Sequence, residues 1–329
     1  MTDDGTPLEL SWDWGTKDDQ PMIRYSIEPE HLQRSLGNMR LEWFHHFREF
    51  FNGHEDGDKD GDRDATGMSI HDAKDHNTSI FYAFDLSPGE VTAKVYFFPK
   101  MRAQVTGQSN LDVLKDGIRT APCSTAANLA AWDMFCDFTT DPASEGLEYE
   151  MLAIDLIDPR ESRMKIYFRS RETTFDSVVN TMTLGGRIAN AKLHQGLQDL
   201  RRLWNALFSV DPDVPGSQSL PAVGHRTAGI LYNVEFRLGE ECPVAKIYLP
   251  VRHYSRSDEG VIRGLDAYFQ QHQRGKYMAN YVQAMRALFS PETMQKSLGV
   301  HTYIGCTIRP NGRLRLVSYF KPGVPESMV

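Results

Sequence analysis

Ala93-Lys94-Val95-Tyr96-Phe97, Met164-Lys165-Ile166-Tyr167-Phe168 and Ala245-Lys246-Ile247-Tyr248-Leu249 are three versions of one pattern. In an extended strand, residues two apart point to the same face. Each stretch therefore presents an ammonium and a phenol side by side, while Val or Ile turns the other way. A strand covered on both faces holds a lysine only where an anion meets it. Three such strands in related places predict one chamber lined by cations and tyrosines, with an anionic ligand inside it.

Each pattern sits on the return strand of a hairpin. Residues 80–86 turn at Ser87-Pro88-Gly89-Glu90 into 91–98, and residues 152–157 turn around Pro159-Arg160-Glu161 into 163–168. Residues 230–238 turn through Gly239-Glu240-Glu241 into 244–249. Two further hairpins flank these, 8–14 with 22–27 and 302–308 with 313–320, the last across Pro310-Asn311-Gly312. Clusters of Gly, Pro and Asn between β-rich alternating runs are the punctuation of hairpins. Helical spacing of apolar residues fills the intervals, at 29–51, 124–138, 175–181, 188–208 and 261–288. The three lysines recur at intervals of 71 and 81 residues, which suits a module of one hairpin plus helices. Five hairpins make about ten strands, an α+β arrangement. Consecutive antiparallel hairpins with amphipathic helices outside predict a closed barrel, its lumen wide enough for ligands and lined by the three patterns.

Composition narrows the partners. The 329 residues carry 36 Lys+Arg against 44 Asp+Glu, a net charge of −8, which argues against a nucleic-acid surface. No apolar run approaches the ~20 residues of a membrane span, and the acidic start Met1-Thr2-Asp3-Asp4-Gly5 has no signal-peptide pattern, so a cytoplasmic setting is expected. Cys123, Cys136, Cys242 and Cys306 have no metal or disulfide spacing and read as free, buried thiols. The acidic stretch 52–67 begins like a calcium loop at Asp56, Asp58 and Asp60. Gly67 stands at the twelfth position, where a bidentate carboxylate belongs, so a flexible solvated loop is expected. His45, His46, His194 and His225 form no ligand or triad spacing, and no metal site is expected.

The lumen face should hold Lys94, Tyr96, Arg163, Lys165, Tyr167, Lys246 and Tyr248. Ammonium and guanidinium groups match phosphate oxygens in charge and hydrogen bonding. Tyrosine faces stabilise a cation through their quadrupole. A ligand that begins as an anion and generates a cation needs both, and a prenyl diphosphate does so when diphosphate leaves an allylic carbocation. With no acidic DDxxD motif for magnesium, the basic side chains would stand in for the metal. Glu9, alternating with Leu8 and Leu10, offers a carboxylate to an aromatic N–H or O–H. Arg24, on the return strand of the first hairpin, can reach the same lumen.

At these residues the chain resembles the fungal aromatic prenyltransferases of the dimethylallyltryptophan synthase type, over Pro7 to Pro322. The pieces that carry the resemblance are Pro7-Leu8-Glu9-Leu10-Ser11-Trp12, Ile23-Arg24 before Glu28-Pro29, the three Lys-x-Tyr patterns, and the closing Thr302-Tyr303 and Ser318-Tyr319 strands. The resemblance implies the ABBA fold, ten antiparallel strands around a solvent-filled lumen ringed by helices, as a single domain over 1–329. It implies transfer of a dimethylallyl group from its diphosphate to an indole in secondary (alkaloid) metabolism, without a metal or other cofactor. Glu9 matches the glutamate that binds the indole N–H. Arg24, Lys94, Arg163, Lys165 and Lys246 match diphosphate-binding positions, and Tyr96, Tyr167, Tyr248, Tyr303 and Tyr319 match the tyrosine shield around the cation. Family members carry helices before the glutamate strand, whereas Glu9 stands almost at the start of this sequence. A phenolic, tyrosine or polyketide acceptor, and a non-catalytic barrel that binds an isoprenoid diphosphate, are the alternatives. The partners expected are small molecules, with no nucleic acid and no membrane, and a homodimer is left open.

Overall fold

The alternating stretches close on themselves. A computed structural model of the chain describes residues 8–15, 22–27, 41–52, 80–87, 90–290, 294 and 299–321. Its strands are β1 (Leu8–Asp13), β2 (Met22–Ile27), β3 (Ile80–Ser87), β4 (Glu90–Phe97), β5 (Glu148–Asp155), β6 (Met164–Ser170), β7 (Ile230–Phe236), β8 (Val244–Leu249), β9 (His301–Ile308) and β10 (Leu314–Phe320). Each pairs antiparallel with its sequence neighbours, and β1 pairs β10 to complete the barrel, so every edge is satisfied. This is the expected ten-stranded ABBA barrel.

Helices cover the outside: α1 (Glu42–Asn52), α2 (Lys100–Thr106), α3 (Asn110–Arg119), α4 (Ala130–Phe138), α5 (Phe175–Met182), α6 (Ala191–Phe208), α7 (Val251–Tyr254), α8 (Asp258–Gln271) and α9 (Met278–Leu288). None among the described residues is long and apolar enough to cross a membrane. The period-2 reading explains why two separate apolar clusters form. Val95, Phe97, Ile166, Phe168, Ile247 and Leu249 face outward into one large core with Phe47, Trp132 and Trp204 from the helices. Ala153, Tyr167, Leu231, Tyr248 and Tyr303 face inward, with Tyr96, Met151 and Tyr319 against them. Within the outer shell, Asp258 accepts from the backbone N–H groups of Val300 and His301 and from the His301 ring, whose other nitrogen meets Tyr281 Oη at 2.7 Å. That network ties the start of β9 to α8 and α9.

Several boundaries differ from the sequence reading. β5 begins at Glu148, four residues before the expected 152, and it carries a bulge between Tyr149 and Met151 that interrupts the alternation. The stretch 261–288 is two helices, because Gln273 takes a left-handed φ of 55° and Gly275 follows it. Residues 124–129 form turns ahead of α4. The α6 helix starts after Asn190, whose side chain caps the N–H of Leu193 at 2.8 Å. Helices α2 and α3 were not anticipated: α2 is short and buries only Ala103, whereas α3 is a ten-residue helix that buries Val113, Leu114 and Ile118. All four cysteines are free, but Cys306 alone is buried, and Cys123 and Cys242 are exposed. The acidic loop reading lies outside the described residues from 53 to 67.

Candidate active site

The return strands all run the same way, so the lumen is layered. Lysines stand toward one end, tyrosines in the middle, and a third set of polar groups toward the other end. At the lysine end, Lys165 Nζ donates to Asp155 Oδ1 at 2.9 Å, and Arg163 Nε donates to Asp155 Oδ2 at 2.6 Å. Asp155 is only 3% exposed and stands opposite Lys94 in the β4–β5 register. Glu235, opposite Lys165 across β6 and β7, lies 3.8 Å from Arg163. On the far wall, Arg24 and Arg315 share the fully buried Asp13, Arg24 at 2.8 Å.

These carboxylates answer the question of how buried cations are tolerated before any ligand arrives. Burial would raise the Asp155 carboxyl, but Lys165 and Arg163 overcome that and hold it well below the usual carboxylate range. The Asp13 carboxyl is likewise lowered, with burial opposed by Arg315 and Arg24. The cations Arg24, Lys94, Arg163, Lys165, Lys246 and Arg315 still outnumber Asp13, Asp155 and Glu235. Among the described side chains the cations therefore predominate at this level, an arrangement preorganised for a polyanion.

Lys246 is set differently. Its Nζ donates to Tyr319 Oη at 3.4 Å and lies 4.5 Å from the centroid of the Tyr248 ring. Burial pushes its ammonium down to about 7, with Glu235 offsetting part of that. Gly305, across from Tyr248 in the register, makes this closeness feasible. A Cβ there would stand 3.0 Å from Tyr319 Cε2 and 3.3 Å from Lys246 Cε.

The tyrosines form a continuous inner wall. Ring centroids are 5.8 Å apart for Tyr96 and Tyr167, 5.9 Å for Tyr167 and Tyr248, 5.7 Å for Tyr248 and Tyr319, and 6.3 Å for Tyr248 and Tyr303. Asn233 Nδ2 donates to Tyr248 Oη at 3.0 Å, and that hydroxyl donates to Tyr167 Oη at 3.4 Å. Burial raises the phenols of Tyr167, Tyr248 and Tyr319. They therefore stay protonated near neutral pH and present ring faces, where a phenolate would capture an allylic cation. Beyond this wall, Glu9 on β1 is half-buried and accepts from Thr302 Oγ1 at 3.4 Å.

All eleven residues singled out from sequence thus face one lumen, in three layers. The carboxylates Asp13, Asp155 and Glu235, together with Arg315, Asn233 and Gly305, were missed. Their signal was present: each alternates with apolar neighbours, as in Leu152-Ala153-Ile154-Asp155, at the parity that faces the lysine strands. Among the described residues, no group of three or more His, Cys, Asp and Glu is placed to hold a metal ion.

The profile of the tryptophan dimethylallyltransferase family matches residues 1–284. A 4-O-dimethylallyl-L-tyrosine synthase of Claviceps purpurea is 33% identical over 98% of this chain and 75% of its own length. A 7-dimethylallyltryptophan synthase of Aspergillus fumigatus is 30% identical over 97% of this chain and 71% of its own. Among solved structures, AnaPT from Neosartorya fischeri superposes with a TM-score of 0.78 at 21% identity, over 97% of this chain and 79% of that one.

Proposed function

The chain belongs to the tryptophan dimethylallyltransferase family and is an aromatic prenyltransferase; on that premise we propose that it moves a dimethylallyl group from dimethylallyl diphosphate to an aromatic ring held at Glu9, without a metal ion. The observation that carries this reading is the layering of the lumen. The diphosphate lies among Lys94, Arg163, Lys165, Lys246 and Arg24, which stabilise the charge that grows on it as the C–O bond breaks. The allylic cation lies between Tyr96, Tyr167, Tyr248, Tyr303 and Tyr319, which keep water away and face it with π density. The acceptor lies on the far side, in line with the breaking bond, and Glu9 accepts its N–H or O–H and raises its nucleophilicity.

An indole suits this arrangement, because a carboxylate on the N–H pushes electron density into the ring carbons. The 33% identity to a tyrosine O-dimethylallylating enzyme supports a second reading, in which Glu9 draws on a phenol O–H and the oxygen attacks. Incubation with dimethylallyl diphosphate, EDTA and a panel of indoles and phenols, followed by product analysis, tests both. The expected result is turnover that EDTA leaves intact and that Glu9→Gln lowers about 100-fold or more, as for loss of a group acting in the transition state. Loss of turnover with EDTA would overturn the metal-free step, and an unimpaired Glu9→Gln would overturn the role of that carboxylate. Binding of the diphosphate with no product from any acceptor would favour a non-catalytic barrel.

A further inference from the structure

The bulge in β5 does something specific. Tyr149 pairs with Phe168 and Met151 pairs with Tyr167, so Glu150 is the extra residue between them. A bulge re-aims a side chain that strict alternation would send elsewhere. Here it turns Glu150 onto Arg169, the next residue after Lys165 and Tyr167 on the lumen face of β6. Arg169 Nε donates to Glu150 Oε1 at 2.7 Å, and Arg169 Nη2 reaches Oε2 at 3.4 Å. The guanidinium is anchored in turn by the carbonyl of Thr227 at 2.8 Å and by Tyr303 Oη at 3.4 Å. Arg169 is 1% exposed, whereas Glu150 keeps 27% of its surface open. Further out, Arg171 and Glu148 pair with both side chains a little under half exposed.

The pair therefore stands just inside the mouth, past the tyrosine wall, at the end away from the lysines. In ring order β5 and β6 lie across the barrel from β1, so Glu150 faces the acceptor space from the wall opposite Glu9. We propose that Glu150 is an acceptor-binding carboxylate that takes the cationic amino group of an aromatic amine or amino acid. This rests on the reading that the aromatic acceptor occupies this end of the lumen. The fork of Arg169 is spent on Glu150 and its outer face is buried, so an incoming carboxylate meets the negative partner first and is repelled. An ammonium gains a charge-assisted hydrogen bond there. Glu9 would then read the ring and Glu150 the side chain, which fixes the orientation of the ring against the cation.

The test compares acceptors that differ only in the amino group. L-Tyrosine is set against 3-(4-hydroxyphenyl)propanoate, and L-tryptophan against 3-(indol-3-yl)propanoate, each with dimethylallyl diphosphate. In the wild type, KM for the deaminated acid is expected to exceed that for the amino acid by about 10- to 100-fold, the worth of one hydrogen bond to a charged group. Glu150→Gln should raise KM for the amino acids by a similar factor and leave KM for the deaminated acids no higher, and Glu150→Asp should recover part of the preference. Equal wild-type KM values for amino acid and deaminated acid, or a Glu150→Gln effect equal on both, would overturn the proposal and leave the pair a structural one. If Glu150→Gln does not fold, the wild-type comparison decides alone. If neither series turns over, the reaction assigned above fails. Calorimetric affinities for L-tyrosine and 3-(4-hydroxyphenyl)propanoate, with the thiolo analogue of dimethylallyl diphosphate present, then decide the binding claim. A preference for the amino acid sustains it, and equal affinity overturns it.

Discussion

On the proposed reading, in which Lys246 meets the donor diphosphate, its titration sets a pH dependence on donor binding. Its ammonium, wedged between the Tyr248 and Tyr319 rings, titrates near 7 because burial outweighs the attraction of Glu235. In the free enzyme it loses its proton as pH rises through that value. A bound diphosphate brings anionic oxygens beside it and favours the charged form, so binding above pH 7 requires proton uptake. At pH 8 roughly one molecule in ten carries the proton, and each further pH unit weakens donor binding by about tenfold, ~1.4 kcal/mol. The expected outcome is a donor KM that climbs with this slope between about pH 7.5 and 9. Calorimetry of inorganic diphosphate binding in two buffers of different ionisation enthalpy should show close to one proton taken up at pH 8.5. Lys246→Gln, run in parallel, subtracts the titration of the ligand itself and should flatten the profile. An identical slope in Lys246→Gln, or no uptake in the wild type, would refute the reasoning. The linkage to folding has the opposite appearance: a lysine depressed in the folded state detracts from stability most fully below pH 7, and that loss fades as pH rises toward 10.5.

Two substitutions probe the rest of the lumen. Asp155→Asn leaves Lys165, 5% exposed, without the carboxylate 2.9 Å away; it should cost about 3–5 kcal/mol in urea unfolding, and inorganic diphosphate should restore more stability to the variant than it adds to the wild type. A variant as stable as the wild type would show that Asp155 does not hold the cations. Gly305→Ala places a methyl 3.0 Å from the Tyr319 ring and 3.3 Å from the Lys246 side chain. Overpacking of about 1–3 kcal/mol is expected, with a larger proportional rise in donor KM than in acceptor KM; unchanged donor kinetics would mean that the glycine is not needed for the approach of Lys246.

The lysine-and-tyrosine lining of the lumen was legible in the residues because strand geometry is local. Once Lys94-Val95-Tyr96 is read as extended, the lysine and tyrosine must share a face, and three copies leave a common lumen as the economical arrangement. The partners of those lysines were harder to read. Asp155 is ten residues from Lys165 and reaches it only through the register of β5 on β6, which the turn at 156–163 sets and which runs unbroken from Ile154 to Met151 before the bulge at Glu150. Asp13 lies about 300 residues from Arg315, and only closure of β1 onto β10 brings them into contact. Helix limits failed where a single backbone conformation decided them, as at Gln273.

Alternation and repetition along the chain therefore determined that there is a barrel and which chemistry lines it. Pairing period and side-chain parity are properties of each strand alone, so they survive without knowledge of the partner. The tertiary structure decided how that chemistry is held: which carboxylates keep the cations charged, which ring Lys246 rests on, and where a bulge aims Glu150. Those outcomes depend on register and on close approach between strands distant in sequence, and neither is encoded in the pattern of any one strand.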